Sequence, residues 1–205
     1  MEQSIFISKN ATELPLLRAF CKSNQLSLTA QSFIEFSALP FKISERYDVL
    51  FFGSIRAAEF FFTQESLPDH CQIACVGAVT VKKINALGFG VSFIGEQAGN
   101  PVQVADMFKI WLGDRRVLFP ISSVSKRTIV EHIPLNQRSE ISVYATIPCP
   151  KKITLNSILV FTSPSNVESF LLQNEINGNT LIAWGTTTKN VLEAKGYSVD
   201  YTLQE

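Results

Sequence analysis

The chain repeats itself. VLFFGSIRAAEFFF (Val49–Phe62) lies over ILVFTSPSNVESFL (Ile158–Leu171), so that Phe52 matches Phe161, Ser54 matches Ser163, Glu59 matches Glu168 and Phe61 matches Phe170. Downstream, IACVGAVTVKKINALGFGV (Ile73–Val91) lies over IAWGTTTKNVLEAKGYSV (Ile182–Val199), pairing Gly77 with Gly185, Thr80 with Thr188, Gly88 with Gly196 and Val91 with Val199. Phe52 and Phe161 are 109 residues apart and Gly77 and Gly185 are 108 apart, so a single-residue gap aligns both blocks. A period this long means one supersecondary unit used twice.

Each copy reads as a strand, a loop, a helix, a second strand, a loop and a second helix. Val49–Phe52 and Ile158–Phe161 are short continuous apolar runs, as in parallel strands buried on both faces. Helical spacing follows at Ala57, Phe60 and Phe61 in one copy and at Val167, Phe170 and Leu171 in the other. The second strands (Ile73–Val76 and Leu181–Trp184) end in glycine, and the helices after them stop near Gly88 and Gly196. This is the βαβ pattern of a doubly wound α/β sheet.

The first copy continues through a helix at Val102–Leu112, a strand at Arg115–Phe119 and a helix at Lys126–Ile133. The second reaches the end of the chain too soon to fill a sheet. The N-terminus offers the missing pieces, a strand at Ile5–Ile7 and a helix over about Glu13–Ser23. The expectation is a discontinuous α/β domain from residues 1–29 plus 149–205 and an inserted α/β domain over 38–139. Two extended linkers, about 28–37 and 140–148, would pair as a thin hinge ladder, with a cleft between the halves. The second linker alternates at Ile141, Val143, Ala145 and Ile147, which puts Tyr144 on the opposite face. One continuous sheet is the competing arrangement.

Composition narrows the partners. The chain is 46% hydrophobic and 18% charged, with 18 basic and 18 acidic residues, so it lacks the basic excess of a sequence-independent nucleic-acid binder. No apolar run is long enough to cross a bilayer, and the first residues carry neither the basic start nor the apolar core of a secretory signal. Cys21, Cys71, Cys75 and Cys149 fit no disulfide or zinc spacing, and His70 and His132 have no ligand or triad partner close in sequence. No metal and no Ser-His-Asp nucleophile is expected.

In an open α/β sheet, ligands bind beyond the carboxyl ends of the strands. Those ends here carry Ser8-Lys9-Asn10, Gly53-Ser54-Ile55-Arg56, Gly77-Ala78, Ser122-Ser123, Thr162-Ser163-Pro164-Ser165-Asn166 and Gly185-Thr186-Thr187-Thr188. A helix start offers unpaired backbone N–H groups and partial positive charge, and small hydroxyl residues let an anion come close. The same residue types also serve as ordinary helix N-caps. None of the loops is a Walker A or GxGxxG motif, so no nucleotide is indicated.

The stretches FTSPSNVESF (Phe161–Phe170), FGSIRAAEFF (Phe52–Phe61), VGAVT (Val76–Thr80), WGTTT (Trp184–Thr188) and VYAT (Val143–Thr146) together resemble the uroporphyrinogen-III synthase family, over nearly the whole chain and in family order. The resemblance implies two flavodoxin-like, doubly wound parallel-sheet domains joined by a two-stranded ladder. It implies a lyase (a hydro-lyase) of tetrapyrrole, porphyrin and heme biosynthesis. Such an enzyme closes hydroxymethylbilane to uroporphyrinogen III, inverts the last pyrrole ring, releases water and uses no cofactor. Tyr144 takes the place of the family's cleft tyrosine, the candidate general acid. Ser163 and Ser165 take the serines of its Ser-Pro-Ser loop, Thr187 falls in its Gly-x-Thr-Thr loop, and Ser54 with Arg56 falls in the matching loop. Ser8, Lys9, Gly77 and Asn166 complete the expected substrate-binding set. The implied protein is a cytoplasmic monomer with a small-molecule substrate, no nucleic-acid or membrane partner, and at most a transient contact with the preceding enzyme of the pathway.

The sequence departs from the family in places. Gly53 stands where threonine is usual, Lys9 where arginine is usual, and Ile121-Ser122 where an Arg-Gly pair is common, and the chain is short. Two readings of other classes stand beside the enzyme: a catalytically silent regulatory member, and a two-domain module binding a small polyanion.

Overall fold

The computed structural model describes residues 4–96, 99–125, 127–154 and 157–203. The chain divides into two compact units, one built from the chain up to Glu35 and from Ile147 onward, the other from Phe36–Thr146. The first stretch carries β1 (Ser4–Ile7), a 3₁₀ turn (Ala11–Glu13), α1 (Pro15–Ser23) and β2 (Ser27–Ala30). Then come β3 (Ile34–Ala38), β4 (Val49–Phe52), α2 (Ile55–Phe62), β5 (Gln72–Val76), α3 (Ala78–Ala86) and β6 (Phe93–Gly95). They are followed by α4 (Pro101–Leu112), β7 (Val117–Ser122), α5 (Thr128–Glu131) and β8 (Arg138–Pro148). The last stretch holds β9 (Ile158–Phe161), α6 (Pro164–Phe170), β10 (Thr180–Trp184), α7 (Thr186–Ala194) and β11 (Tyr201–Leu203).

The sheet orders are β11-β10-β9-β1-β2 and β3-β8-β7-β4-β5-β6. Apart from β3 at its edge, the second sheet has the order of the first, with β4 for β9, β5 for β10, β6 for β11, β7 for β1 and β8 for β2. All of the corresponding neighbours pair parallel. This is the two flavodoxin-like α/β architecture, with the repeat realised as topology.

Strand alternation sorts the core. In β4 all four residues are buried. Leu50 and Phe52 face a cluster that includes Ala57, Phe61 and Ile84 of α2 and α3, whereas Val49 and Phe51 face Val104, Phe108 and Val130 of α4 and α5. Helices therefore cover both faces, which is why these strands read as unbroken apolar runs. In the other unit Phe6, Phe33, Phe161 and Phe170 are fully buried. They pack with ring centroids 5.0–6.2 Å apart. Burying one such ring contributes roughly 1.5–3 kcal/mol.

Three expectations change. The stretch 28–37 is not one linker strand. It breaks into β2, paired with β1, and β3, beside β8. The break is held by Phe33, whose ring enters the phenylalanine cluster while its N–H donates to Asn166 Oδ1 at 2.8 Å. The stretch 140–148 is likewise part of a sheet, since β8 starts at Arg138 and pairs along β7. Finally, α5 is one short turn at Thr128–Glu131 where a longer helix is expected, and Lys126 lies outside the described residues. Strands β6 and β11, three residues each, carry no run long enough to read from sequence.

Candidate functional site

In each sheet the strand order reverses between two neighbours, β4 and β7 in one, β9 and β1 in the other. The loops leaving those strands diverge to opposite faces, and this crevice is where doubly wound sheets take ligands. The two crevices are built from repeat-matched residues. Ser54 (φ −153°, ψ 152°) caps α2, its Oγ accepting the Ala57 N–H at 3.3 Å. Ser163 (φ −162°, ψ 155°) caps α6, accepting the Asn166 N–H at 3.4 Å. Gly77 (φ 77°, ψ 146°) and Gly185 (φ 89°, ψ 155°) precede α3 and α7 in the same left-handed geometry, which glycine adopts without steric cost.

At the crevice of the first unit the polar side chains bond to one another. Ser8 is fully buried; its Oγ accepts the Thr162 N–H at 2.8 Å, and Thr162 Oγ1 donates to the Ser8 carbonyl at 2.7 Å. Asn166, 4% exposed, accepts from Phe33 N–H and donates through Nδ2 to Ser163 Oγ at 3.0 Å. Lys9 lies 3.8 Å from Glu13 in an ion pair and over the Trp184 ring, 5.8 Å from its centroid. Ser165 is half-buried in the first turn of α6, and Thr187 is exposed in the first turn of α7.

The crevice of the second unit is open. A cavity of about 210 Å³ is lined by Gly53, Ser54, Ile121, Ser122, Ser125 and Tyr144, among others. Gly53 holds the position of Thr162, so the hydroxyl bridge found in the other unit has no counterpart, and a Cβ added there meets nothing within 4 Å. Beyond Gly53, Ile121 and Ser125 lies a more apolar pocket of about 230 Å³ flanked by Arg127, whose Nε sits 3.1 Å from Glu140.

Tyr144 does not stand on an exposed face. It is 7% exposed and belongs to the α2-side core with its neighbour Val143. A register shift between Ile121 and Ser122 sets Ser122 opposite Tyr144 and disturbs the alternation of β8. The ring stacks on Phe60 (5.2 Å, 17°) and meets Phe36 edge-on (5.8 Å, 72°). Arg56, in the first turn of α2, lays its guanidinium over the other aromatic contact of this group, with Cζ 3.5 Å from the Phe36 centroid. No ion pair of Arg56 occurs among the described residues.

Sequence reasoning thus places Ser54, Arg56 and Tyr144 in one neighbourhood, and leaves out Ser125, Phe36 and Phe60. Ser125 carries no motif, and Phe36 lies in a stretch read as a linker. Two of the four thiols are poor nucleophiles, because burial pushes Cys71 up to about 12 and Cys75 up to about 11. Among the described residues no group of three or more His, Cys, Asp or Glu side chains is placed to hold a metal, and no helix is long and apolar enough to cross a membrane.

A search of curated proteins finds no match. Solved structures do match. A crystal structure of uroporphyrinogen-III synthetase from Helicobacter pylori 26695 superposes with a TM-score of 0.71 at 19% identity, over 100% of this chain and 93% of that one. A mutant uroporphyrinogen III synthase from the extremely thermophilic bacterium Thermus thermophilus gives 0.63 at 11% identity, over 98% and 92%. At these identities the likeness establishes the fold. The family model described as uroporphyrinogen-III synthase HemD matches residues 8–205. This chain belongs to the uroporphyrinogen-III synthase family.

Proposed function

We propose that the protein closes hydroxymethylbilane to uroporphyrinogen III, inverting the last pyrrole ring and releasing water, as a cytoplasmic enzyme of tetrapyrrole synthesis that needs no cofactor. The observation that carries this reading is the family match across residues 8–205. Membership supports a catalytic role in tetrapyrrole synthesis, and the open crevice beside Ser54 supplies groups suited to a polycarboxylate.

In this reading the helix-start loops hold carboxylates. The Ser54 and Ser163 oxygens accept from the backbone, so each hydroxyl keeps its proton to donate outward. Gly77 and Thr187 bring the starts of α3 and α7, with their partial positive charge, to the same task, and Lys9 and Ser165 lie where they could add to it. Ser8 and Asn166 act one step back, by fixing the loops. Arg56 supplies a charge-assisted contact, stronger than a neutral one.

Ring closure breaks the terminal carbon–oxygen bond of the bilane, and the hydroxyl leaves as water once it has gained a proton. Tyr144 is the proposed donor, on a wall of the cavity. The test is a coupled assay in which the preceding enzyme supplies the bilane and the type I and type III isomers are separated. Chelator-treated protein is expected to yield the type III isomer. Type I alone, as forms without an enzyme, would overturn the reading, and binding without conversion would make the protein a polyanion-binding module.

A further inference from the structure

We propose that Phe36 is a positioning residue that holds both Arg56 and Tyr144 in their working orientations. The inference rests on the reading of those two residues as ligand-facing. Phe36 is half-buried on β3 and its side chain carries no hydrogen-bonding group, yet among the described residues it is the one ring that touches both. Its face receives the Arg56 guanidinium at 3.5 Å, and its contact with Tyr144 is edge-to-face at 5.8 Å and 72°. Phe60 also stacks against Tyr144, so the tyrosine ring has two aromatic neighbours.

The chemistry follows from these contacts. An arginine side chain has several rotatable bonds, and ordering it on ligand binding costs conformational entropy. A ring face attracts the cation without neutralising it, because the attraction comes from the quadrupole and uses none of the guanidinium's five N–H donors. Arg56 is therefore held in place with its hydrogen-bonding edge available for a carboxylate. An acidic partner would hold it equally well but would compete for that edge. The edge contact with Tyr144 fixes the phenol from a second direction.

Two measurements test this, one without turnover. Uroporphyrin III, the fluorescent oxidised form of the proposed product, is titrated into the full chain, and KM and kcat are followed in the coupled assay. Phe36→Leu keeps apolar volume but removes the ring. It is expected to weaken porphyrin binding and raise KM about fivefold, the loss of roughly 1 kcal/mol of cation–π attraction. In an Arg56→Ala background the same change should shift affinity less than about twofold, because the partner is already gone. Phe36→Tyr should restore binding. Stepwise fluorination of the ring at position 36 weakens the quadrupole with little change of shape, and affinity should fall with each fluorine; this series stands even where Phe36→Leu fails to fold. Flat affinity along the series, or full additivity with Arg56→Ala, would overturn the inference. Failure of the proposed reaction reads differently. A wild-type protein that binds porphyrin, responds to fluorination and forms no type III isomer would retain the positioning role and lose the reaction, whereas a protein that does not bind porphyrin would lose both.

Discussion

The two crevices start from matched sequence and end in different chemistry. Both are framed by a capping serine, Ser54 or Ser163, and by a left-handed glycine, Gly77 or Gly185. In the unit formed from the chain ends, Thr162 and Ser8 bond to each other across the strand ends and Asn166 ties the loop to Phe33. In the unit 36–146 the position of Thr162 is Gly53, and a cavity with Ser122, Ser125 and Tyr144 on its walls opens instead. The repeat therefore fixes backbone geometry, while single side chains decide whether the strand ends are bridged by hydroxyl hydrogen bonds, as at Ser8 and Thr162, or left unbridged. Beside the unbridged crevice Arg56 lies over Phe36, and Tyr144 lines the cavity.

The contrast can be broken most sharply at Tyr144. If it is the proton donor, Tyr144→Phe should slow turnover about ten- to a hundredfold. Unfolding should hardly change, because the ring contacts with Phe60 and Phe36 remain. A wild-type rate would make the residue a core aromatic and nothing more.

Next in size is a stability contrast. Ser8→Ala leaves the part-buried Thr162 N–H without its acceptor and is expected to cost about 1–3 kcal/mol in urea unfolding. In the other crevice Ser122→Ala removes a 3.0 Å contact to the Val124 N–H on an open wall and should cost less than about 1 kcal/mol. Equal losses would erase the distinction between a bridged and an unbridged crevice.

The smallest effect is expected at Gly53. Its φ lies outside the left-handed region and a Cβ there meets nothing within 4 Å. Gly53→Ala should stabilise the fold by about 0.4–1 kcal/mol, chiefly by restricting the unfolded chain. Destabilisation in thermal melts would show that the glycine is needed for its conformation rather than tolerated.

Much of the fold was legible because its signals are local. Val49–Phe52 and Ile158–Phe161 are buried from both sides and so spell out continuous apolar runs, and Gly88 and Gly196 take up left-handed geometry just past helix ends. The linkers were legible in part: β3 and β8 are hydrogen-bonded neighbours, as the expected ladder requires, but their bounds were not. Leu28–Phe36 reads as extended throughout, and its division into two strands depends on Asn166, over a hundred residues away. The site was legible where a motif marks a helix start, as at Ser54 and Ser163. It was obscure where a side chain's role depends on its tertiary partners. Asn166 reads as a ligand contact, and its bonds to the Phe33 N–H and Ser163 Oγ could not be read from sequence. Tyr144 reads as standing on the face opposite Val143 and is packed in the same core cluster, with a register shift disturbing the alternation of β8. Phe36 carries no site motif, since its contacts with Arg56 and Tyr144 are tertiary.

The central claim is that the strongest side-chain contact to the ligand is made by Arg56, beside the open crevice. The most direct measurement is the affinity of uroporphyrin III for Arg56→Glu and for Lys9→Glu, each against wild type and across a range of salt. Arg56 has no acidic partner among the described residues, whereas Lys9 already pairs with Glu13 at 3.8 Å. Arg56→Glu should weaken binding about tenfold or more, the scale of a lost charged hydrogen bond, and flatten the salt dependence. Lys9→Glu should do clearly less. Unchanged affinity in Arg56→Glu, or a larger loss in Lys9→Glu, would contradict the account.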